Sequence, residues 1–372
     1  MTAQTYKLED FVTVSIKHDA SDIHLSSGKN PHIRIKGKLR SLGKEDAVLT
    51  EENIRQIMEA TLPASQKDRC MKLFTETGSV DYSFEIPIGG QPIRYRIQAY
   101  RALGRLSLAM RRIHYVIPTF EQLNLPPIYQ KVMDNPEQKG IIIVGGETGS
   151  GKSSTLAAMV GHLARRPDKH VVTIEDPVEF VFRNAKALVH QRELGVDFPN
   201  YSEALRAVLR EDPNIIMIGE MRDAETVHAA IKAAETGHLV LTSLHTATAA
   251  WTFSRILNFF KEAEHDAVRL NLSYNLLAIM NQMLLPSEHE GLSRIPATEV
   301  FINIPSVRQY LREKEKESQL ADVIKEGYEG MHSFNMSLAR LIAEGHIGIP
   351  QAKAYSHNPQ ELEMLVKITG TG

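Results

Sequence analysis

GIIIVGGETGSGKSST, residues 140–155, is the stretch whose reading fixes the fold. Ile141, Ile142, Ile143 and Val144 form a short continuous apolar run, which suits a parallel strand covered on both faces. Gly146 to Ser153 then fits the pattern G-x-x-x-x-G-K-[ST], and LAAMVGHLARR continues with helical spacing. Strand, loop and helix in that order make a phosphate-binding loop, whereas a chance Gly/Ser turn has no reason to sit between them. The glycines let successive backbone N–H groups turn inward on a β-phosphate, and the helix N-terminus adds its dipole. Gly146, Glu147, Thr148, Gly149, Ser150, Gly151, Lys152, Ser153 and Ser154 are therefore expected to bind ATP. Lys152 would reach the β- and γ-phosphates, and the Ser153 hydroxyl would sit on Mg²⁺.

Downstream of this loop, short β-type runs alternate with helical patterns, the signature of a parallel sheet built from βα units. The runs are Ile141–Val144, His170–Ile174, Ile215–Ile218 and His238–Ser243. Ligands of open parallel sheets sit at the carboxyl ends of the strands, so the residues that end each run are candidates. Glu175 and Asp176 end the second run, Glu220 follows the third, and His245 follows the fourth. Alone, Glu175-Asp176-Pro177 would be a turn, and a lone His is more often structural; the coincidence of four strand ends is what points to chemistry. ATP hydrolysis needs little beyond positioned water, metal and a charge clamp. Spacing leaves open how the two glutamates divide the work. The assignment adopted puts Glu175 on the attacking water and Glu220 in the Mg²⁺ shell, with His245 as a γ-phosphate sensor. Asp223 reads instead as the N-cap of a helix over 224–236.

From Ala247 onward the pattern is almost wholly helical, with Leu270–Leu285 read as one apolar helix and Thr298–Ile304 as the single strand-like run. The charge run Arg312–Glu317 reads as a solvated helix face. Upstream, helices over Leu8–His18, Thr50–Ala60 and Ser65–Phe74 accompany strands at Ser21–Ser27 and His32–Leu39. A meander over Ser79–Ile86, Ile93–Arg101 and Arg105–Ile113 completes a small α+β domain with an antiparallel sheet. The meander carries six arginines, among them Arg96 and Arg111. They read either as a solvated strand face or, in a ring, as arginines offered to a neighbour's γ-phosphate. Pro118–Pro127 reads as a linker, giving domains at 1–116 and 129–372 joined by 117–128.

Composition narrows the classes. With 43 basic and 45 acidic residues the chain has no global attraction to polyanions, which argues against nucleic acid as a partner. Its single cysteine, Cys70, excludes a disulfide framework and any multi-cysteine metal clip. MTAQTYKLEDF has no signal-like apolar core, and no run approaches the roughly eighteen apolar residues that span a bilayer, so a cytoplasmic protein is expected.

With these residues laid out, the chain resembles the secretion-ATPase superfamily and, within it, the PilT/PilU group of type IV pilus retraction ATPases. ASDIHLSSG (20–28) and IRIKG (33–37) are similar to the group's amino-terminal signature. GETGSGKSS resembles its Walker A box, TIEDPVEF (173–180) its Asp box, REDPNIIMIGEMRD (210–223) its Walker B box and TGHLVLTSLHT (236–246) its His box. The resemblance implies a PAS-like amino-terminal domain, a RecA-like P-loop ATPase domain with a mainly parallel sheet and helical carboxy-terminal part, and a homohexameric ring. It further implies arginines acting across the subunit interface, which Arg96 and Arg111 match by position. Implied partners are an inner-membrane pilus platform protein and a paralogous pilus motor, with the membrane reached only through them. Glu147 and Asn214 depart from the group's pattern, and SVRQYLRE (306–313) matches its carboxy-terminal motif only in part.

The function expected is ATP-driven pilus retraction and hence twitching motility. The competing expectations are a secretion or DNA-uptake motor of the same superfamily, and a nucleotide-gated binding protein with little turnover.

Overall fold

A computed structural model describes residues 7–35, 37–42, 48–113, 115–135 and 138–369. Residues 1–6 of the amino-terminal stretch and Lys36 within the expected His32–Leu39 strand lie outside the described residues. Contacts divide the chain into two units, Met1–Tyr115 and Val116–Gly372.

In the first unit, strands β1 (Asp22–Ser26), β2 (His32–Ile35), β3 (Lys38–Ser41), β4 (Ser79–Ile88), β5 (Gln91–Ala102) and β6 (Arg105–Ile113) form one antiparallel sheet. Their order is β3-β2-β1-β6-β5-β4. The expected single strand over His32–Leu39 is a hairpin, because the backbone turns through Gly37 at φ +80°. Helices Leu8–Lys17, Glu51–Thr61 and Lys67–Thr77 pack their apolar stripes on Ile23, Leu25, Tyr95, Ile97 and Leu108. The Glu51–Thr61 helix starts where the Thr50 side chain accepts from Asn53 N, a cap that stabilises it by about 1 kcal/mol.

The second unit is a seven-stranded sheet made of β7 (Gly140–Gly145), β8 (His170–Glu175), β9 (Leu188–Glu193), β10 (Ile215–Ile218), β11 (Leu239–Leu244), β12 (Leu276–Pro286) and β13 (Arg294–Ile302). Strand order is β13-β12-β7-β11-β10-β8-β9, and every pair is parallel except β12 with β13. Ile141 and Ile143 enter one core and Ile142 and Val144 another, so β7 is covered on both faces as its unbroken apolar run requires. Among the described residues no helix is long and apolar enough to cross a membrane.

Three expectations are corrected. Leu270–Leu285 is not one helix: His265–Asn275 is helical, and Leu276 then turns into β12, which lies parallel to β7. A strand buried on both faces is as continuously apolar as a buried helix, so spacing cannot separate the two. The carboxy-terminal part is consequently less helical than expected, since β12 and β13 form a hairpin added to the sheet. The charge run Arg312–Glu317 is not merely solvated, because Glu317 pairs with the buried Arg269. Residues 117–128, read as a linker, put Phe120 and Leu125 into the core of the second unit.

Candidate active site

β7 delivers the chain to a loop over Gly146–Gly151, after which the helix Lys152–Leu163 begins. Gly149 and Gly151 have φ of +82° and +92°, values an L-residue adopts only with strain. Gly146 is constrained by space as well: a Cβ there would lie 2.5 Å from the Gln282 carbonyl oxygen. Lys152 is folded back over the loop, with Nζ donating to Gly146 O at 2.7 Å and Glu147 O at 2.9 Å. Burial pulls the pKa of this ammonium down, while the carboxylates of Glu220, Glu179 and Glu147 act against it. Ser153 Oγ donates to Glu179 Oε1 at 2.8 Å, and Ser154 follows half-buried in the first turn of the helix.

The strand ends bring the other candidates to this loop. His245, just beyond β11, sets Nδ1 at 3.3 Å from Lys152 Nζ and 3.5 Å from Thr148 Oγ1. Its Nε2 faces Glu220 Oε1 at 3.5 Å. Glu220 is gripped from the other side by Arg222 Nε at 3.1 Å, and Arg222 Nη1 also donates to Asp176 Oδ2 at 3.0 Å. Arg222 thereby ties the end of β10 to the end of β8. Asp223 caps the following helix, accepting from Thr226 N at 2.8 Å.

Glu175 is the last residue of β8 and is buried. Burial raises its pKa to about 7, against the opposing hydrogen bonds from Thr173 Oγ1 (2.6 Å) and Gln191 Nε2 (3.2 Å). A carboxyl poised near neutrality can take a proton from water at working pH.

Arg96 and Arg111 belong to the first unit, where they are directly opposed across β5 and β6. Arg96 Nε donates to Asp81 Oδ2 at 2.8 Å and Arg111 Nε to Asp22 Oδ1 at 2.9 Å. The Arg111 side chain is still 72% exposed, while its partner Asp22 is buried.

Motif reading passed over several residues at the site. Thr173, Glu179 and Arg222 lie inside the quoted boxes and Gln191 lies on β9, and only their hydrogen bonds single them out. Asn281 and Gln282 are polar interruptions of the apolar run 270–285, and only the pairing of β12 with β7 gives them a place beside the loop.

The family model for the Type II/IV secretion system protein matches residues 5–321. The chain belongs to that family. PilT of Pseudomonas aeruginosa, described as a type IV pilus retraction ATPase, is 38% identical over 354 residues, which are 95% of this chain and 99% of that protein. The type IV pilus ATPase PilU of the same organism is 32% identical over 363 residues, covering 97% and 92% of the two chains. Among solved structures, the pilus retraction motor PilT with bound ADP matches with a TM-score of 0.86 at 37% identity, over 96% of this chain and 99% of that one. The match runs through both units, so the family relationship covers the antiparallel sheet as well as the phosphate loop.

Proposed function

We propose that this chain is the ATP-hydrolysing motor of type IV pilus retraction, working as a homohexamer from the cytoplasmic side on an inner-membrane platform protein. One observation carries the reading: Lys152, His245 and Glu220 stand in a continuous line of contacts across the phosphate loop and two strand ends. Its support is the likeness, over almost the whole chain, to a retraction motor that holds ADP. As a member of this ATPase family the chain uses nucleotide.

Lys152 and the loop amides hold the phosphates, and Glu175 accepts the proton of the attacking water. Its pKa of about 7 lets it serve as a base near neutral pH and release the proton again. His245 senses the γ-phosphate from its place between Lys152 and Glu220. The Ser153 hydroxyl and the Glu220 carboxylate are hard oxygen donors suited to Mg²⁺. An ion held by so few protein oxygens would complete its shell with substrate phosphates and water. Held there, Mg²⁺ would supply positive charge that neutralises what develops on the phosphoryl oxygens. Arg96 and Arg111, offered by a neighbouring subunit, add to that neutralisation.

Work requires ATP, ADP and empty sites to favour different arrangements of the two units, since a ligand shifts an equilibrium only by its differential affinity. Phe120 and Leu125 fasten residues 117–128 to the second unit. A paralogous motor that shares the platform protein fits the same scheme.

Deleting the gene is expected to leave pili that extend and do not retract, with twitching lost. Pili that retract at the normal rate would overturn the reading. Loss of secretion or DNA uptake with twitching intact would favour another motor of the superfamily. Strong stimulation of the purified ATPase by single-stranded DNA would point to a nucleic-acid partner, which the near-balanced charge argues against.

A further inference from the structure

Gln282 lies on β12, outside every motif quoted above, and is only 3% exposed. Its Nε2 donates to Ser150 O at 2.7 Å, and its Oε1 accepts from Thr155 Oγ1 at 2.8 Å. A carbonyl oxygen can only accept, so the amide nitrogen must face Ser150 and the oxygen must face Thr155. Thr155 N in turn donates to Gly151 O at 3.0 Å. The one side chain therefore holds both ends of the turn that joins loop to helix.

The register of β12 makes this contact possible. Asn281 is paired with Gly145, and its Nδ2 lies 2.2 Å from where a Gly145 Cβ would be. The same nitrogen donates to Thr246 O at 2.8 Å, next to His245. Adjacent strand residues face opposite ways, so with Asn281 committed to that side Gln282 must face the phosphate loop.

Fixing the Ser150 carbonyl has a consequence for the nucleotide. The Ser150 C=O and the Gly151 N–H belong to one planar trans peptide and point in opposite directions. With the oxygen tied to Gln282, the Gly151 N–H is aimed away from β12, toward the side on which loop amides cradle phosphate. Gly151 also has to pass close: a Cβ there would stand 3.1 Å from Gln282 Nε2.

We propose that Gln282 is a positioning residue of the nucleotide site, holding the Ser150–Gly151 peptide in its phosphate-binding orientation before nucleotide arrives. The proposal rests on the nucleotide-binding reading above and adds to it a residue that touches no substrate. It adds a contact from the β12–β13 hairpin to the preorganisation that the loop's own glycines provide.

The test compares ADP and AMP affinities, with melting midpoints, for the full-length chain and for Gln282→Met, Gln282→Glu and Thr155→Val. A phosphate loop grips the β-phosphate, which AMP lacks. Gln282→Met is therefore expected to weaken ADP about tenfold, or about 1.4 kcal/mol, and to leave AMP nearly unchanged. Gln282→Glu keeps an acceptor for Thr155 but sets a carboxylate oxygen against the Ser150 carbonyl, so its ADP loss should be at least as large. Thr155→Val should lose less, in the same direction. An unchanged ADP-to-AMP ratio in a Gln282→Met protein of normal melting midpoint would overturn the proposal, as would equal weakening of both ligands. If Gln282→Met does not fold, an unchanged ratio in Thr155→Val overturns it. Wild-type protein that binds no ADP would sink the nucleotide reading itself; wild type that binds ADP beside unaffected variants would sink only the role of Gln282.

Discussion

His245 Nδ1 stands 3.3 Å from Lys152 Nζ, and the opposite ring nitrogen, Nε2, stands 3.5 Å from Glu220 Oε1. An ammonium only donates, so Nδ1 is the acceptor and the neutral ring carries its proton on Nε2, toward the carboxylate. The imidazole thus links the cation proposed to grip phosphate to the carboxylate proposed to stand beside the metal. Displacing Lys152 from the loop carbonyls onto a phosphate would be felt at Glu220 through this one ring.

Glu220→Ala is expected to keep ATP bound and to cut turnover by about 10³-fold, the scale of losing one group that stabilises developing charge, here through the metal it would help to hold. His245→Ala should lose about 10²-fold in kcat with little change in ADP affinity. Single-turnover hydrolysis measured beside equilibrium nucleotide binding separates the two quantities. Ordinary turnover by the Glu220 variant would refute its place in the site.

Lys152→Ala should act on binding. A charge-assisted hydrogen bond contributes about 2 kcal/mol, so ADP affinity is expected to fall about thirtyfold. Calorimetric titration with ADP checks it, and an unaltered affinity would remove Lys152 from the phosphate site.

The raised pKa of Glu175 predicts two pH effects of opposite sense. Activity needs the carboxylate, so kcat/KM should rise with pH through about 7. Thr173→Val removes the hydrogen bond that lowers this pKa, and should move the rising limb to higher pH. Stability runs the other way. Glu175 and the buried Glu299 both have folded-state values near 7 against about 4.5 unfolded, so between those limits the native state binds more protons than the unfolded chain. Their contribution is complete below about pH 4.5 and is lost as pH rises to about 7. Glu299→Gln, which keeps an acceptor for Ala249 N, should flatten that fall in denaturant melts collected across the range.

Arg96 and Arg111 give a prediction about the ring. A chain with both changed to Ala should bind ADP normally and turn over slowly, and a Lys152→Ala chain should fail at its own loop. Mixed and reassembled, the two should recover part of the activity, because some intact loops then meet intact arginines from a neighbour. No recovery in verified mixed rings would confine the two arginines to their ion pairs with Asp81 and Asp22.

The phosphate loop, the strand-end carboxylates and His245 were legible because each depends on short-range order. A buried strand needs consecutive apolar residues, the turn after it needs glycine, and the next residue out of the sheet lies at the carboxyl edge whatever the rest of the chain does. The antiparallel first unit was legible for a similar reason, since its strands alternate with period two and its turns carry glycine.

What the sequence determined by itself was thus the glycine-rich loop that follows β7, the doubly covered sheet and membership of an ATPase family. Tertiary structure alone decided that Leu276–Pro286 is a strand and that Gln282 meets Ser150 and Thr155 across more than a hundred residues of chain. It also decided that burial holds Glu175 near neutrality. The reason is physical: strand pairing, desolvation and the partner of a buried amide are set by what lies alongside in space, and a one-dimensional pattern of apolar residues does not carry that information.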